Sequence, residues 1–346
     1  MTLKLGIVMD PIQSINIKKD SSFAMLLEAQ HRNYDIYYME MSDLFIEDNR
    51  AKAYTQCLQL EDNADNWYQF IDSPDADNSP EPELDNSPEL KNSPATIQLS
   101  ELDVILMRKD PPFDMEYIYA TYILEMAEQT GTLVINKPRS LRDANEKLFT
   151  HQFPNCTTPT LVSRNKEQFK QFLKQHRDII VKPLGGMGGH SIFRIKENDP
   201  NLNVILETMT DHASQYIMAQ RFIPEISQGD KRILIINGIP VDYALARIPP
   251  EGETRGNLAA GGKGLGVPLT KRDYWLCEQV APKLKDMGLI FVGMDVIGDY
   301  ITEINVTSPT CIRELDALYN LNISALLMDV IEEKVEEKVK KKHLGQ

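Results

Sequence analysis

Apolar and polar positions along the chain follow the periods of short buried strands and amphipathic helices. Residues 3–9 form an almost continuous apolar run, and apolar positions three and four residues apart follow at 23–29. Asp20, Ser21 and Ser22 stand just before the second pattern and are candidate N-caps. The chain is therefore predicted to begin with a buried strand and a helix.

The same alternation continues to about residue 136. Strands are predicted at 35–39, 102–107 and 132–136, and a helix is predicted at 114–129, closed by Gly131; the stretch after 39 is variable. Strands alternating with helices predict an α/β domain with a parallel sheet and helices on its faces.

The remainder of the chain is also predicted to contain both helices and strands. Asn237-Gly238 is a strong two-residue hairpin signal and divides the apolar stretch 232–246 into two strands. The other predicted elements are helices at 140–151, 167–176, 272–287 and from about 322, and strands at 159–163, 178–183, 191–195, 217–222 and as a pair at 290–306.

Charge and composition exclude several classes of function. The 37 Lys and Arg against 51 Asp and Glu give a net charge of −14, which argues against nucleic acid as a partner. No apolar run is long enough for a membrane span or a signal peptide, so a cytoplasmic protein without membrane contact is expected. The 4 cysteines form no CxxC pair and the 6 histidines no HExxH, so neither a disulfide framework nor a zinc site is predicted.

The segment 72–94 differs in composition from its surroundings. Asn-Ser-Pro occurs in it three times, and its seven acidic residues and one lysine contribute −6, which leaves −8 for the rest of the chain. With five prolines and few large apolar residues it cannot bury enough surface to fold. We predict a disordered acidic insertion, and favour a solvated spacer over a regulatory or partner-binding segment.

Glycines cluster between the strands predicted at 178–183 and 191–195. Gly185, Gly186, Gly188 and Gly189 free the backbone for close approach to an anion, and Lys182 leads into the cluster. The segment is neither a Walker A loop nor a GxGxxG motif, and a glycine-rich hairpin alone is more often only a turn.

A second group of residues could hold a metal. Glu303 and Asn305 share one face of a strand by the period of two, and a three-residue hairpin loop would place Asp295 opposite Glu303, whereas a two-residue loop would place it on the other face. Few, anionic, hard oxygen ligands suit Mg²⁺. An acidic pair in a strand is usually a solvent-facing edge, but the neighbouring residues here are apolar.

The segment 248–266 contains six glycines and shows neither helical nor strand period, which is typical of a lid or a disordered loop. Arg232 and Arg247 lie on predicted strands before it, where arginines could clamp a phosphate or a carboxylate.

Long motifs in this order resemble the ATP-grasp enzymes, and among them the bacterial glutathione synthetases. The motifs are LGIVMDP (5–11), NIKKDSSFAML (16–26), RKDPPFD (108–114), EKLF (146–149), IVKPLxGMGG (180–189), GETRGNLAAGG (252–262) and TEINVTSPTCIRE (302–314). The resemblance covers nearly the whole chain, except the acidic insertion and the last dozen residues.

The resemblance implies an ATP-grasp fold with an N-terminal parallel-sheet α/β domain. It implies ATP-dependent ligation of γ-L-glutamyl-L-cysteine with glycine to give glutathione, ADP and phosphate through an acyl phosphate. It implies Mg²⁺, with Mn²⁺ as an alternative, and a homotetramer. The implied division is an N-terminal substrate-binding domain (1–144), an ATP-grasp lid subdomain (145–221), a metal and substrate subdomain (222–335) and a charged tail (336–346).

Site roles are implied residue by residue. Arg232 and Arg247 match arginines that stabilise the acyl phosphate, and Asp295, Glu303 and Asn305 match the magnesium positions. ATP-binding positions are Lys147, Lys182, Gly186, Met187, Gly188, Gly189, Gln220, Phe222, Ile223 and Asn305. Candidate substrate positions are Asp10, Arg108, Arg255, Thr307, Ser308 and Thr310.

Two other functions remain open at this point. The first is another ATP-grasp carboxylate–amine ligase, such as a D-alanine ligase or a glutamate-adding enzyme, which would differ in the RKDPP and TRGNL segments. The second is an ATP-binding regulatory module without turnover, against which the complete set of Arg232, Asp295, Glu303 and Asn305 argues.

Overall fold

The protein divides into two compact units. The computed structural model describes residues 2–72, 94–186, 188–253, 255–256 and 261–344. One unit comprises Met1–Asp143, Met287–Phe291 and Thr307–Gln346, and the other comprises Ala144–Asp286 and Val292–Val306. The predicted insertion lies, except for its two end residues, outside the described residues, as does Met187.

The first unit is built on a mixed sheet. Its strands are β1 (Lys4–Val8), β2 (Asp35–Met39), β3 (Leu44–Glu47), β4 (Arg50–Leu60), β5 (Tyr68–Ile71), β6 (Ala95–Gln98), β7 (Val104–Met107) and β8 (Leu133–Ile135). The order is β3-β4-β2-β1-β7-β8, with β5 and β6 also paired to β4. Pairing among β2, β1, β7 and β8 is parallel, which confirms the predicted parallel sheet.

Caps define the helices of this unit. Helix α1 (Ser21–His31) is capped at its N-terminus by Asp20, whose carboxylate accepts the Phe23 N–H at 2.7 Å. Helix α2 (Met115–Thr130) is capped at its C-terminus by Gly131, which has a φ of 115°. Both ends were predicted. The other helices are α3 (Pro138–Asp143), α7 (Ile312–Tyr319) and α8 (Ile323–Leu344). Of the described helices, none is both long and apolar enough to cross a membrane.

The second unit holds two antiparallel sheets. The first consists of β9 (Thr160–Ser163), β10 (Asp178–Pro183), β11 (Phe193–Lys196) and β12 (Ile217–Arg221), in the order β11-β10-β12-β9, with α4 (Lys166–His176) and α5 (Leu202–Met209). The second consists of β13 (Asp230–Ile236), β14 (Ile239–Ile248), β15 (Lys263–Pro268), β16 (Phe291–Ile297) and β17 (Tyr300–Asn305), in the order β15-β14-β13-β16-β17, with α6 (Lys271–Asp286). The β13–β14 hairpin turns at Asn237 and Gly238, as predicted; their φ values are 49° and 79°.

Two predicted elements are wrong. The helix predicted at 140–151 is interrupted, because Asn145 Oδ1 accepts the N–H groups of Lys147 (3.1 Å) and Leu148 (2.9 Å) and so replaces the helical pattern; only α3 and a 3-10 helix at Leu148–Gln152 remain. The segment 248–266 is not wholly a loop, since β15 begins at Lys263 and pairs with β14.

The β16–β17 hairpin has an irregularity that decides the metal-site geometry. Its loop is two residues long, because Ile297 pairs with Tyr300, so the condition of a three-residue loop is wrong. The register then shifts by one residue at Thr302, and Asp295 pairs with Glu303 after all. A β-bulge at Thr302 therefore places Asp295 opposite Glu303, which the three-residue loop was expected to do.

Candidate active site

Four buried cations lie in the second unit. Lys147 precedes the 3-10 helix, Lys182 lies on β10, and Arg232 and Arg247 lie on β13 and β14. Each is at most 6% exposed. Buried cations require anionic partners, so their surroundings decide what the site can bind.

Asp295 is the partner of both arginines. Arg232 binds it with Nε and Nη2, the latter at 3.0 Å from Oδ2, and Arg247 Nη2 lies 2.7 Å from Oδ2. Burial alone would raise the pKa of Asp295, but the two guanidinium groups outweigh it and hold this pKa well below its usual range. Asp295 is thus an ionised carboxylate whose charge the two arginines neutralise.

The two lysines face Glu303 and its neighbours. Lys147 Nζ is bound to the Glu146 carboxylate, lies 3.7 Å from Glu303 Oε2 and donates to the Gly186 carbonyl at 3.0 Å. Burial would lower the pKa of Lys147, but Glu303 and Glu146 together raise it. Lys182 Nζ donates to the Thr302 carbonyl at 3.0 Å, and burial lowers its pKa to about 8 against the opposing effect of Glu303.

The glycine cluster follows β10 directly. Gly186, Gly188 and Gly189 have φ values of 98°, 70° and 78°, a region that other residues avoid. Asn145 donates to the Leu184 carbonyl at 3.2 Å, which ties the start of the cluster to the segment that carries Lys147. The predicted phosphate-binding segment is therefore beside both lysines.

The predicted adenine-reading segment begins in the last residues of β12 and continues beyond its end. The N–H groups of Arg221 and Phe222 donate to the carbonyls of Pro159 and Asp178, both at 3.0 Å, and Gln220 pairs within the sheet. Within the described part of the chain the Ile223 N–H has no acceptor. One backbone donor is therefore left for a ligand.

The predicted metal residues share a face of the β16–β17 hairpin. Asp295 pairs with Glu303, and Asn305 is two residues further along β17. No cluster of three or more His, Cys, Asp or Glu suited to a metal occurs in the described ranges, so this site offers two carboxylates and one amide. These are hard oxygen donors of the kind that Mg²⁺ and Mn²⁺ accept.

Gly256, in the segment 248–266, lies against the backbone of Arg247. A Cβ added at Gly256 would lie 2.3 Å from the Arg247 carbonyl oxygen and 3.3 Å from the Asp230 Cβ, so only glycine fits there. Arg255 is bound to Glu253 at 2.6 Å and donates to the Gly189 carbonyl at 3.4 Å. Two described residues of the segment therefore contact Arg247 and the glycine cluster.

The other predicted substrate residues gather in the first unit. Arg108 follows β7, is buried, and donates to Ser22 Oγ (3.0 Å) and the Pro309 carbonyl (2.7 Å). Its Nη1 has no hydrogen-bond partner in the described ranges, and burial lowers its pKa to about 10, so it is still charged at neutral pH. An anion is the ligand that fits such a group.

The remaining candidates of that unit are held by contacts with other residues of the same unit. Ser308 Oγ donates to the Arg108 carbonyl at 2.9 Å. Three further contacts complete the arrangement: Thr307 with Asp110, Asp10 with Lys109, and Thr310 Oγ1 with Cys311 Sγ at 3.8 Å.

Sequence reasoning missed two acidic members of the second-unit site, Glu146 and Asp230. Glu146 binds Lys147, and its carbonyl accepts the Ile304 N–H at 2.8 Å. Asp230 binds Arg247, its register partner on β14. The signals were present, since Glu146 is part of the EKLF motif and Asp230 is two strand positions before Arg232.

Two antiparallel sheets carrying buried lysines, a glycine cluster and an arginine–carboxylate hairpin define an ATP-grasp ligase. Solved structures with this fold include D-cycloserine synthetase DcsG (TM-score 0.63, 13% identity, covering 96% of this chain and 99% of that chain). Another is D-alanyl-alanine synthetase A from Vibrio cholerae O1 (TM-score 0.56, 14% identity, 96% and 98%). The predicted fold class is confirmed.

The chain belongs to the prokaryotic glutathione synthetase family. Residues 3–142 match its N-terminal domain and residues 146–320 its ATP-grasp domain. Curated relatives with the name glutathione synthetase come from Vibrio vulnificus strain YJ016 (58% identical, covering 97% of this chain and 99% of the relative), Vibrio cholerae O1 (60%, 96% and 98%) and Escherichia coli K12 (57%, 97% and 99%). The chain is an ATP-dependent ligase of glutathione synthesis, and the resemblance seen in its motifs is confirmed.

Proposed function

We propose that the chain joins γ-L-glutamyl-L-cysteine to glycine through an acyl phosphate, with release of ADP and phosphate. The observation that carries this proposal is the second-unit cluster of four buried cations facing carboxylates on one hairpin. Phosphoryl transfer needs positioning and charge neutralisation rather than a side-chain nucleophile, and this cluster supplies both.

ATP would lie along the lysines and the glycine cluster. Lys147 and Lys182 bind the phosphates, and the positive-φ glycines at 186, 188 and 189 bring backbone N–H groups close to them; Met187, also proposed here, lies outside the described residues. The adenine is read by the backbone of Gln220, Phe222 and Ile223. The available Ile223 N–H is the donor that supports this position.

Asp295, Glu303 and Asn305 would hold Mg²⁺, or Mn²⁺ in its place, and Asn305 would also contact the nucleotide. The bound ion supplies countercharge to the transferring phosphoryl group. The hard oxygens at paired strand positions support this proposal. Asp295 is neutralised by the guanidinium groups of Arg232 and Arg247. If phosphate oxygens bind these two arginines, Asp295 needs another cation as its partner.

Arg232 and Arg247 would stabilise the acyl phosphate. Both present planar guanidinium groups that match phosphate oxygens. An acyl phosphate hydrolyses readily, so the segment 248–266 would exclude water until glycine has reacted. The contact of Gly256 with Arg247 supports this role.

The dipeptide would be held by Arg108 with Asp10, Thr307, Ser308 and Thr310, and by Arg255. The unpartnered Nη1 of the buried Arg108 supports an anionic group of the substrate there. We further propose the four-part division at 144, 221 and 335, a cytoplasmic homotetramer, and no nucleic-acid or membrane partner.

Phosphate release tests the function. It should require γ-glutamylcysteine, glycine and Mg²⁺ together, and Glu303→Ala should lower turnover by more than about 100-fold while the melting temperature stays within a few degrees. Turnover with D-alanine but not with these substrates would identify another ATP-grasp ligase instead. Near-normal activity of Glu303→Ala would remove Glu303 from the metal site.

A further inference from the structure

Asp178 and Arg194, both in the second unit, hold the segment that is proposed to read adenine. Asp178 is the first residue of β10, and its carbonyl oxygen accepts the Phe222 N–H at 3.0 Å. Its carboxylate binds Arg194 of β11, whose guanidinium carbon lies 3.5 Å from the centre of the Phe222 ring. Asp178 therefore acts on Phe222 twice, through the backbone and through the aromatic ring.

Two hydrogen bonds fix the plane of the Arg194 guanidinium. Arg194 Nε donates to Asp178 Oδ1 at 3.0 Å, and Nη2 donates to Oδ2 at 2.6 Å. A two-point contact of this kind sets the orientation of the planar group as well as its position. A cation held over the face of an aromatic ring attracts the ring, so the Asp178–Arg194 pair restrains the Phe222 side chain.

These contacts decide which backbone donor remains for a base. The Phe222 N–H is engaged by the Asp178 carbonyl, and the Ile223 N–H has no acceptor among the described residues. The peptide unit that joins Phe222 to Ile223 is planar, so the direction of the Ile223 N–H depends on the backbone of Phe222. A Phe222 that is held at its N–H and at its ring leaves this peptide unit little freedom.

The base that fits a single backbone donor at this place is adenine. Atom N1 of adenine accepts a hydrogen bond, whereas N1 of guanine carries a hydrogen and would leave the Ile223 N–H unpaired. We propose that Asp178 and Arg194 are positioning residues that orient the Ile223 N–H towards adenine N1 and thereby select ATP over GTP. The inference rests on the proposed adenine position, and both residues act through Phe222 rather than by contact with the nucleotide.

The pair is too exposed to contribute much to global stability. The side chains of Arg194 and Asp178 are 29% and 28% exposed. Ion pairs that are open to solvent contribute little to the free energy of unfolding. Loss of the pair is therefore expected to change nucleotide binding far more than the melting temperature.

Arg194→Met tests the proposal, because it keeps the length of the side chain and removes the guanidinium. The KM for ATP should rise by about 5- to 30-fold, the factor expected when a cation–ring contact is lost, while kcat and the KM values for γ-glutamylcysteine and glycine stay within about two-fold. The ratio of kcat/KM for ATP to that for GTP should fall by a similar factor. Arg194→Lys, which keeps the charge but not the planar fork, should recover part of the ATP affinity.

Two further variants show whether Arg194 acts through the ring. Arg164→Met is the matched control, because Arg164 lies 5.3 Å from the centre of the exposed Tyr216 ring, next to the start of β12 and so at the end opposite the adenine-reading segment; it should change none of these values. Phe222→Leu removes the ring, so adding Arg194→Met to it should cause little further loss. A full additional loss in the double variant, equal losses with ATP and GTP, or a lower kcat at unchanged KM would each overturn the proposal.

Binding of 1-deaza-ADP separates this proposal from the proposed adenine position. This analogue has a C–H group in place of N1, so calorimetry in the presence of Mg²⁺ should show that the wild-type protein binds ADP more tightly than 1-deaza-ADP, by about 5-fold or more. Arg194→Met should lose most of this difference. An undiminished difference in Arg194→Met would overturn the role of Arg194 alone, whereas no difference in the wild-type protein would contradict the adenine position at Ile223 and the inference with it. Neither result depends on ligation, because ADP binding requires no acyl phosphate.

Discussion

At the residue scale, the cations and carboxylates of the candidate active site neutralise one another. Four cations, Lys147, Lys182, Arg232 and Arg247, face four carboxylates, Glu146, Asp230, Asp295 and Glu303. An anionic nucleotide must therefore exchange partners with these groups rather than fill an empty positive pocket. Such an exchange leaves carboxylates in need of countercharge, which fits an enzyme that binds ATP together with a divalent cation.

Lys182 should make nucleotide binding depend on pH. Burial lowers its pKa to about 8, so above that pH the free protein increasingly carries an uncharged amine there. Bound phosphates favour the charged form of Lys182 and raise its pKa. ATP binding should therefore take up protons between about pH 8 and the higher pKa that Lys182 has in the complex. Binding near pH 6.5, where Lys182 is already charged, should not take up protons.

Calorimetry in two buffers of different ionisation enthalpy measures this proton uptake. Lys182→Arg is the informative variant, because a guanidinium stays charged over this range and the uptake should disappear. The same uptake in the wild-type protein and in Lys182→Arg would assign the proton to another group.

At the element scale, the sequence predicts elements whose signal is local and misses those that depend on pairing. The cap at Asp20, the stop at Gly131 and the Asn237-Gly238 turn were all predictable, because each follows from the chemistry of one or two residues. The bulge at Thr302 was not, because strand alternation carries no sign of an extra unpaired residue.

Strands with small side chains were also missed. The inward positions of β4 include Ala51, Ala53, Thr55 and Cys57, which give a weak apolar pattern although all four are buried. A Cβ added at Gly264 of β15 would lie 3.3 Å from Leu245 Cδ1 of β14. The glycine that suggested a loop therefore permits close pairing of these two strands. The candidate site residues could be named from the sequence because they lie in long motifs, whereas Asp230 and Glu146 acquire significance only from their partners.

Gly256→Ala should uncouple the reaction. An alanine Cβ would lie 2.3 Å from the Arg247 carbonyl oxygen, a backbone atom that cannot move aside cheaply, so this part of the segment must lift. Water should then compete with glycine for the acyl phosphate, and phosphate release should exceed glutathione formation. The measurement is the ratio of the two products at saturating substrates, with melting temperature as the folding control. A ratio of one at unchanged kcat would contradict a water-excluding role.

At the scale of the whole molecule, the acidity of the chain is unevenly distributed. The segment 72–94 contributes −6 of the net −14, whereas the site in the second unit combines four cations with four carboxylates. The family match extends over both domains, and the relatives are covered almost end to end. The net charge of the chain therefore says little about its catalytic chemistry.

Removal of residues 73–94 should leave the enzyme intact. Strands β5 and β6 pair with the same strand, with Ile71 opposite Cys57 and Ala95 opposite Thr55. These two partners are two residues apart on β4, roughly 7 Å, so a link of about four Gly and Ser residues can join the two strands.

The replacement connection is roughly fivefold shorter than the segment that it replaces. This lowers the free-energy cost of closing the loop by about 1.5 kcal/mol at most, which corresponds to about 2 °C in the melting temperature of a chain of this size. We expect kcat within about two-fold of the parent and a melting temperature that is unchanged or slightly raised, measured by steady-state assay and calorimetry. A loss of several degrees would show that the segment is ordered and contributes to stability.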